Sequence, residues 1–211
     1  MLSKFLTDIL AMPYFRNHAA ESGSVHNYAK HEDAITNILI LNGFTRILKT
    51  GTGKFNTDLL SNGEFIEQPN GTHRSPDFIV KSSTGKILAI EAKSSKDAKP
   101  LYNSGLVNPN YLYIFCSKKY NKTTIYKGSM IYPIEVKILI DEHIKKAKKL
   151  DKILNEKLKA LDTEHRGWEY YTRAMLNQAG GASFTDYFKH TERERIEAET
   201  IAWVTSLDTT D

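Results

Sequence analysis

The segment from Asp77 to Lys93 constrains the fold more than any other part of the chain. It begins with a short apolar run that is typical of a strand, Asp77-Phe-Ile-Val80, and continues through the turn residues Ser82-Ser-Thr-Gly85. A second strand-like run follows, Lys86-Ile-Leu-Ala-Ile-Glu-Ala-Lys93. The pattern predicts two antiparallel strands joined by a tight turn, and therefore a β-sheet near the middle of the chain.

The same hairpin predicts where its charged side chains lie. If the turn is centred near Thr84, Asp77 lies directly opposite Glu91, and opposed residues point to the same face of a sheet with Cβ atoms about 4.5–5.5 Å apart. Side chains alternate along a strand, so Lys93 shares that face. The apolar residues of the second strand point to the other face: Leu88, Ile90 and Ala92. Two carboxylates and one ammonium are therefore expected on one patch of the sheet.

Two carboxylates that face each other repel, and a divalent cation between them would remove this cost. Mg²⁺ prefers oxygen ligands, takes one or two carboxylates and keeps positions open for water and phosphate oxygens. A cation held by Asp77 and Glu91 would polarise a scissile phosphate and lower the pKa of a bound water, which Lys93 could orient. The arrangement predicts a site for Mg²⁺-dependent hydrolysis of phosphodiester bonds.

The rest of the pattern predicts helices around these strands. Helices are predicted, in chain order, over residues 3–11, 25–41, 134–161, 168–176 and 193–204. Further strands are predicted over residues 64–67, 111–117 and 123–127. This order predicts an α/β (α+β) fold, with a central mixed β-sheet flanked by helices and a helical C-terminal region. We expect three parts: an N-terminal helix and loop over 1–24, the core over 25–161, and an extension packed on that core over 162–211.

Composition excludes several classes of protein. Hydrophobic residues at 40% and charged residues at 26% exclude a largely disordered chain. The single cysteine, Cys116, excludes a disulfide framework and a zinc site built on several thiolates. No apolar run approaches the about 20 residues that span a bilayer, and the first residues lack the features of a signal peptide. We therefore expect a soluble, cytoplasmic protein with no membrane partner, whose net charge of +4 permits nucleic-acid binding without requiring it.

Pro76-Asp77, the short hairpin and Glu91-Ala92-Lys93 together resemble the PD-(D/E)XK nuclease superfamily, in the form seen in type II restriction endonucleases. Two further runs are similar to restriction-enzyme sequence: Gln68-Pro-Asn-Gly71 and Pro100-Leu-Tyr-Asn-Ser-Gly105. The resemblance covers about residues 25–130 and implies a restriction-endonuclease-like core. It also implies Mg²⁺ as cofactor, double-stranded DNA as substrate and a homodimer, since many members are homodimers.

The resemblance implies roles for four residues. In the family, the residues that match Asp77 and Glu91 bind the metal, the one that matches Lys93 assists catalysis, and the one that matches Glu32 can assist the metal site. Glu32 lies on the apolar stripe of the predicted helix over 25–41. A glutamate in such a position also fits the edge of a core, paired with a lysine or arginine.

Residues near the ends of the two hairpin strands are candidates for contact with DNA. The loop that leaves the second strand is well placed to touch a duplex above the metal, and its candidates are Ser94, Ser95, Lys96, Lys99, Asn103 and Ser104. Asn103 could pair bidentately with adenine, and His73 and Arg74 could contact phosphate or guanine. The lysine-rich helix over 134–161 could contact DNA phosphates, but the acidic residues interspersed among its lysines favour a solvated amphipathic face.

These features favour a Mg²⁺-dependent, site-specific type II restriction endonuclease, with a cognate DNA methyltransferase as its functional partner. Two alternatives stay open. The same core serves structure-selective and repair nucleases, such as junction resolvases and nickases, which act on branched or damaged DNA. A non-catalytic DNA-binding protein could also keep the fold with a vestigial site.

Overall fold

The predicted hairpin lies at the centre of a six-stranded mixed sheet. The computed structural model describes residues 1–14, 30–49, 53–71, 74–102, 106–178 and 184–209. Its strands are β1 Thr45–Ile47, β2 Glu64–Glu67, β3 Phe78–Lys81, β4 Ile87–Ser95, β5 Leu112–Ser117 and β6 Lys122–Lys127. They lie side by side in chain order, with β1–β2 and β4–β5 parallel and the other pairs antiparallel. Its helices are α1 Leu2–Leu10, α2 Lys30–Leu41, α3 Gly128–Ile131, α4 Ile134–Leu161 and α5 Arg193–Thr205.

One face of the sheet is covered by α1, α2 and α5. Apolar residues of these helices, such as Phe5, Ile35 and Val204, pack with Phe78 and Ile90 of the central strands, and all five are at most 1% exposed. Each such side chain stabilises the fold by about 1.5–3 kcal/mol when fully buried. At the end of α2, Gly43 adopts a φ of +85°, which explains the glycine at this helix terminus.

The other face carries a second core that is rich in tyrosine. The Tyr102 hydroxyl lies 2.8 Å from that of Tyr126 and 3.1 Å from that of Tyr187, and the Tyr113 ring stacks on the Tyr126 ring at 5.2 Å. Buried Tyr hydroxyls need such partners. The cluster holds the segment after β4 and residues around Tyr187 against β5 and β6.

The turn between β3 and β4 is fastened to the end of α5. The Thr84 hydroxyl donates to the backbone oxygen of Leu207 at 2.5 Å, and the Ser83 hydroxyl donates to the Asp208 carboxylate at 3.0 Å. Gly85 closes the turn with a φ of +87°, a conformation that side chains with a Cβ rarely adopt. The hairpin geometry therefore depends on a distant part of the chain.

Helix α4 differs from the others because none of its 28 residues is buried. At 1.5 Å per residue it is about 42 Å long. A non-helical segment, 165–176, lies along it: Asn155 exchanges two hydrogen bonds of 2.8 Å with the backbone of Tyr170, and Asp151 accepts from the backbone and hydroxyl of Thr172.

The α+β class and the mixed sheet are confirmed, as are the long helix and the strand at 64–67. The strand β1 was not predicted, because three residues are too few to show a pattern. The helix expected over 168–176 is wrong, and the C-terminal region is less helical than predicted. Asn155 and Asp151 bind backbone groups of that segment, which helical hydrogen bonding would otherwise use. Among the described residues, no helix combines the length and the apolar character needed to cross a membrane.

Candidate active site

The register of the β3–β4 hairpin brings Asp77 and Glu91 together. Phe78 pairs with Ile90 and Ile79 with Ala89, so the next position along places Asp77, just before β3, opposite Glu91. The backbone N–H of Ala92 donates to Oδ2 of Asp77 at 2.7 Å, which fixes the carboxylate against β4. The predicted register is confirmed.

The charged and apolar residues of β4 separate between the two faces of the sheet. Ile90 and Ala92 belong to the core under α1 and α2, together with Leu88. Since side chains alternate, Glu91 and Lys93 point to the opposite face. There the Lys93 ammonium lies 2.6 Å from Oε1 of Glu91 in a largely buried ion pair.

The electrostatic environment of this face has an excess of negative charge. Burial raises the pKa of Asp77 to about 7, and repulsion from Glu91 and then from Glu32 acts in the same direction. Burial also raises the pKa of Glu32, where a hydrogen bond with Gln68 opposes the shift and repulsion from Glu91 adds to it. Both pKa shifts reflect burial first and, to a smaller extent, repulsion between carboxylates held near each other.

Glu91 has a feature that suits a cation. Its Oε2 atom is buried and has no hydrogen-bond partner among the described residues. A buried carboxylate oxygen without a partner is costly, and a metal ion would compensate it. Asp77 and Glu91 together supply the one or two carboxylates that Mg²⁺ takes from proteins, so the residues present fit this ion.

Glu32 does not complete a larger ligand set. In the described ranges, no three His, Cys, Asp or Glu side chains are gathered so that they could hold one metal ion. Glu32 influences the pKa of Asp77 but is not brought together with Asp77 and Glu91 as a third ligand.

Two neighbouring residues were not singled out individually from the sequence. Gln68 forms a hydrogen bond with Glu32 through its side chain, and its backbone N–H donates to the backbone oxygen of Asp77 at 2.7 Å. Glu67 accepts a hydrogen bond from Thr36 and forms an ion pair with Arg46, so both of its carboxylate oxygens have partners. The run Gln68-Pro-Asn-Gly71 pointed to Gln68, whereas nothing in the sequence alone indicated Glu67.

The structure separates the candidates for DNA contact into groups. Arg74 and Lys96 are exposed, and Ser94 is half-buried next to Lys93. Ser95 is buried, with its hydroxyl bonded inside its own loop, and the Lys99 ammonium donates to the backbone oxygen of Gln178 at 2.6 Å. Three candidates lie outside the described residues: His73, Asn103 and Ser104.

Comparison with known proteins found a match to a family model. Residues 16–102 match the family model described as XamI restriction endonuclease. The matched range is somewhat less than half of the chain and contains Glu32, Asp77, Glu91 and Lys93. No curated protein and no solved structure matches the chain. The family match supports an endodeoxyribonuclease of the restriction type.

Proposed function

We propose that this chain, a restriction endonuclease-like nuclease by the match over residues 16–102, is a Mg²⁺-dependent type II restriction endonuclease that cuts double-stranded DNA at a short specific sequence. The observation that carries the proposal is the opposed pair of Asp77 and Glu91 with Lys93 beside it. One buried oxygen of Glu91 lacks a partner among the described residues and is available to a cation.

Asp77 and Glu91 would hold the ion. Bound there, Mg²⁺ supplies positive charge that polarises the scissile phosphate and makes an adjacent water more acidic. Lys93 already contacts Glu91 and lies on the face where a phosphate would meet the pair. Its ammonium orients the attacking water and stabilises the negative charge that grows on the phosphate as one P–O ester bond breaks.

Glu32 would support the site from α2. It lies close enough to Glu91 for the two carboxylates to repel, and Gln68 bonds to it. We assign Glu32 to the outer part of the metal site, where its negative charge increases the attraction for a cation.

We assign DNA contacts to residues that flank the hairpin in sequence. Arg74 precedes β3 and Lys96 follows β4, so both exposed cations lie towards the open end of the hairpin and are suited to phosphates, and Ser94 follows Lys93 directly. Asn103 remains the proposed reader of adenine, and His73 and Ser104 are further proposed contacts. Alanine at Asn103 should reduce cleavage at the specific site far more than affinity for DNA in general; equal losses would remove this assignment.

We propose that the enzyme acts as a homodimer in the cytoplasm, with a DNA methyltransferase that protects the host site as its functional partner. A two-fold symmetric protein matches a palindromic duplex and cuts both strands. The exposed apolar side chains of α4 support a partner chain: Leu139, Leu150, Ile153, Leu154 and Leu161 are 40–75% exposed. These side chains fall on one side of the helix at 3.6 residues per turn, and large exposed apolar patches mark protein interfaces.

The test is cleavage of long unmodified DNA with Mg²⁺ and with chelator. Discrete bands that require Mg²⁺ are expected. Asp77→Asn should abolish the bands while the protein still binds DNA, and Asp58→Asn, at an exposed position in a short 3₁₀ turn, should cut like the wild type. A smear would indicate a nonspecific nuclease, and intact DNA in every lane would contradict the proposed activity.

A further inference from the structure

Helix α4 carries a face made of lysines. Five of them fall within an arc of about 100° around the helix axis, at 3.6 residues per turn, and therefore lie on one side of the helix: Lys145, Lys148, Lys149, Lys152 and Lys159. We call this surface the lysine face. Lys146 and Lys157 are eleven residues apart, which is three helical turns, and lie on the opposite side.

The lysine face keeps a positive charge although acidic residues lie near it. Asp141 is paired with Lys137, and Asp151 accepts hydrogen bonds from Thr172, whose neutral groups leave its charge in place. Glu156 and Glu169 lie beside the same lysines. Within the part of the chain that the structure describes, none of the five lysines forms an ion pair. The five lysines outnumber Asp151, Glu156 and Glu169, so the interspersed acids, which favoured a merely solvated face from the sequence alone, leave a net positive surface.

Aromatic residues lie beside the lysines. The non-helical segment 165–176 is held against α4 by hydrogen bonds to Asn155 and Asp151. These bonds bring Tyr170 and Tyr171 next to the lysine face. Both tyrosines line a groove of about 460 Å³ together with three lysines of α4, Lys148, Lys152 and Lys159, and three acidic residues, Asp151, Glu156 and Glu169. Tyr170 is 52% and Tyr171 is 74% exposed. Exposed lysines and tyrosines are side chains that contact phosphate oxygens of nucleic acids.

The groove is connected to the candidate active site through the backbone. The segment that forms its wall continues to Leu176, whose backbone N–H donates to the backbone oxygen of Tyr102 at 3.1 Å. It then reaches Gln178, whose backbone oxygen accepts from the Lys99 ammonium. Tyr102 and Lys99 belong to the loop that leaves β4, the strand of Glu91 and Lys93. The wall of the groove thus ends beside the loop of the catalytic strand.

We propose that the lysine face of α4 binds the phosphate backbone of the duplex outside the cleavage site. The proposal rests on the proposed function, because the ligand is the DNA that the catalytic centre cuts. Charge complementarity identifies the occupant: several lysines without ion-pair partners in the described structure, with two exposed phenols, fit a regular polyanion. The lysine face, over 145–159, is about 21 Å long at 1.5 Å per residue and spans about six base pairs at 3.4 Å each, enough to contact several phosphates.

The experiment compares two variants that lose the same charge from the same helix. Lys148→Gln/Lys152→Gln changes the lysine face, whereas Lys146→Gln/Lys157→Gln changes the opposite side. Affinity for a fluorescent 40-base-pair duplex, about three times the length of α4, is measured over a range of salt concentrations in chelator. Each lost phosphate contact lowers the slope of log K against log salt by about 0.9, so the first variant should lower it by about 1.8 and the second by much less.

Two results would overturn the proposal: an unchanged slope for Lys148→Gln/Lys152→Gln, or an equal decrease for the opposite-side variant. A change in sedimentation of the first variant without DNA would also overturn it, because the face would then be a contact between protein chains. Cleavage by the wild type in Mg²⁺ is measured separately. Failure of that cleavage would contradict the proposed function, while the salt slopes alone decide the role of the lysine face.

Discussion

The Lys93 ammonium lies 2.6 Å from one carboxylate oxygen of Glu91, whereas the other oxygen of Glu91 is buried and has no hydrogen-bond partner in the described structure. The two oxygens of a single side chain thus have different environments. One forms an ion pair with Lys93, and the other is buried without a partner in the described structure, in a residue that lies opposite Asp77 across the hairpin. This asymmetry suits a residue that holds its lysine and binds a cation at the same time.

Glu91→Gln should remove Mg²⁺ binding. A ligand that binds only the folded state stabilises it by about 2.7 kcal/mol at one hundred times its Kd, and each kcal/mol raises the Tm of a protein this size by about 2–4 °C. We expect the wild type to gain several degrees in excess Mg²⁺ and Glu91→Gln to gain none. Glu142→Gln, at an exposed position of α4, is the matched control and should behave like the wild type. A full Mg²⁺-dependent rise in Glu91→Gln would contradict the assignment.

Lys93→Met should lose both stability and cleavage. The side chains of Lys93 and Glu91 are 12% and 5% exposed, so the change leaves a buried carboxylate without its partner, at a cost of about 3–5 kcal/mol. The double variant Glu91→Gln/Lys93→Met carries no unpaired charge and should regain most of that stability, yet remain inactive. Urea unfolding at pH 8 measures the difference. If the single and double variants were equally stable, Glu91 and Lys93 would not be coupled in the free energy of unfolding.

Asp77→Asn should stabilise the protein at alkaline pH. The pKa of about 7 in the folded protein lies above the ordinary aspartate value of 3.8, so folding favours the protonated carboxyl. This contribution to stability is complete below about pH 4 and is lost as the pH rises towards 7, at about 1.4 kcal/mol per unit of pKa difference. The variant lacks this loss, and its amide oxygen can still accept from Ala92. Its free energy of unfolding should exceed that of the wild type at pH 8 and equal it near pH 4; lower stability at pH 8 would contradict the raised pKa.

Leu150→Gln/Ile153→Gln should weaken the proposed homodimer. These side chains are 67% and 51% exposed in the single chain, and burying each in an interface contributes about 1.5 kcal/mol or more. Their joint loss corresponds to an about hundredfold weaker dimer, which sedimentation velocity over a range of concentrations detects. Leu48→Gln, at a 77% exposed position of a loop, is the control. An unchanged dimer in the α4 variant would exclude this helix as the interface.

The central hairpin could be predicted from the sequence because its determinants are local. Strand alternation and the turn residues ending at Gly85 fix the register between Asp77 and Glu91, and the structure has that register. The same alternation places Leu88 and Ile90 on the face of the sheet opposite to Glu91 and Lys93. Local pattern was sufficient wherever neighbouring residues decide the conformation.

Other features depend on contacts between distant residues and could not be predicted. The non-helical conformation around Tyr170 is set by Asn155 on α4, whose side chain bonds both the N–H and the carbonyl of Tyr170. The contact between Gln68 and Glu32 requires α2 to pack beside the loop that follows β2. The burial of Glu91 likewise results from the whole sheet and its covering segments.

The bond from Thr84 to Leu207 joins positions 123 residues apart in the chain, and its donor lies in the turn between the two strands that carry the acidic pair. A peptide tag, a deletion or an antibody that disturbs residues 206–208 would therefore alter the spacing of Asp77 and Glu91 without touching either. The residues that follow α5 are therefore a position, distant from the acidic pair, at which engineered changes could regulate the nuclease.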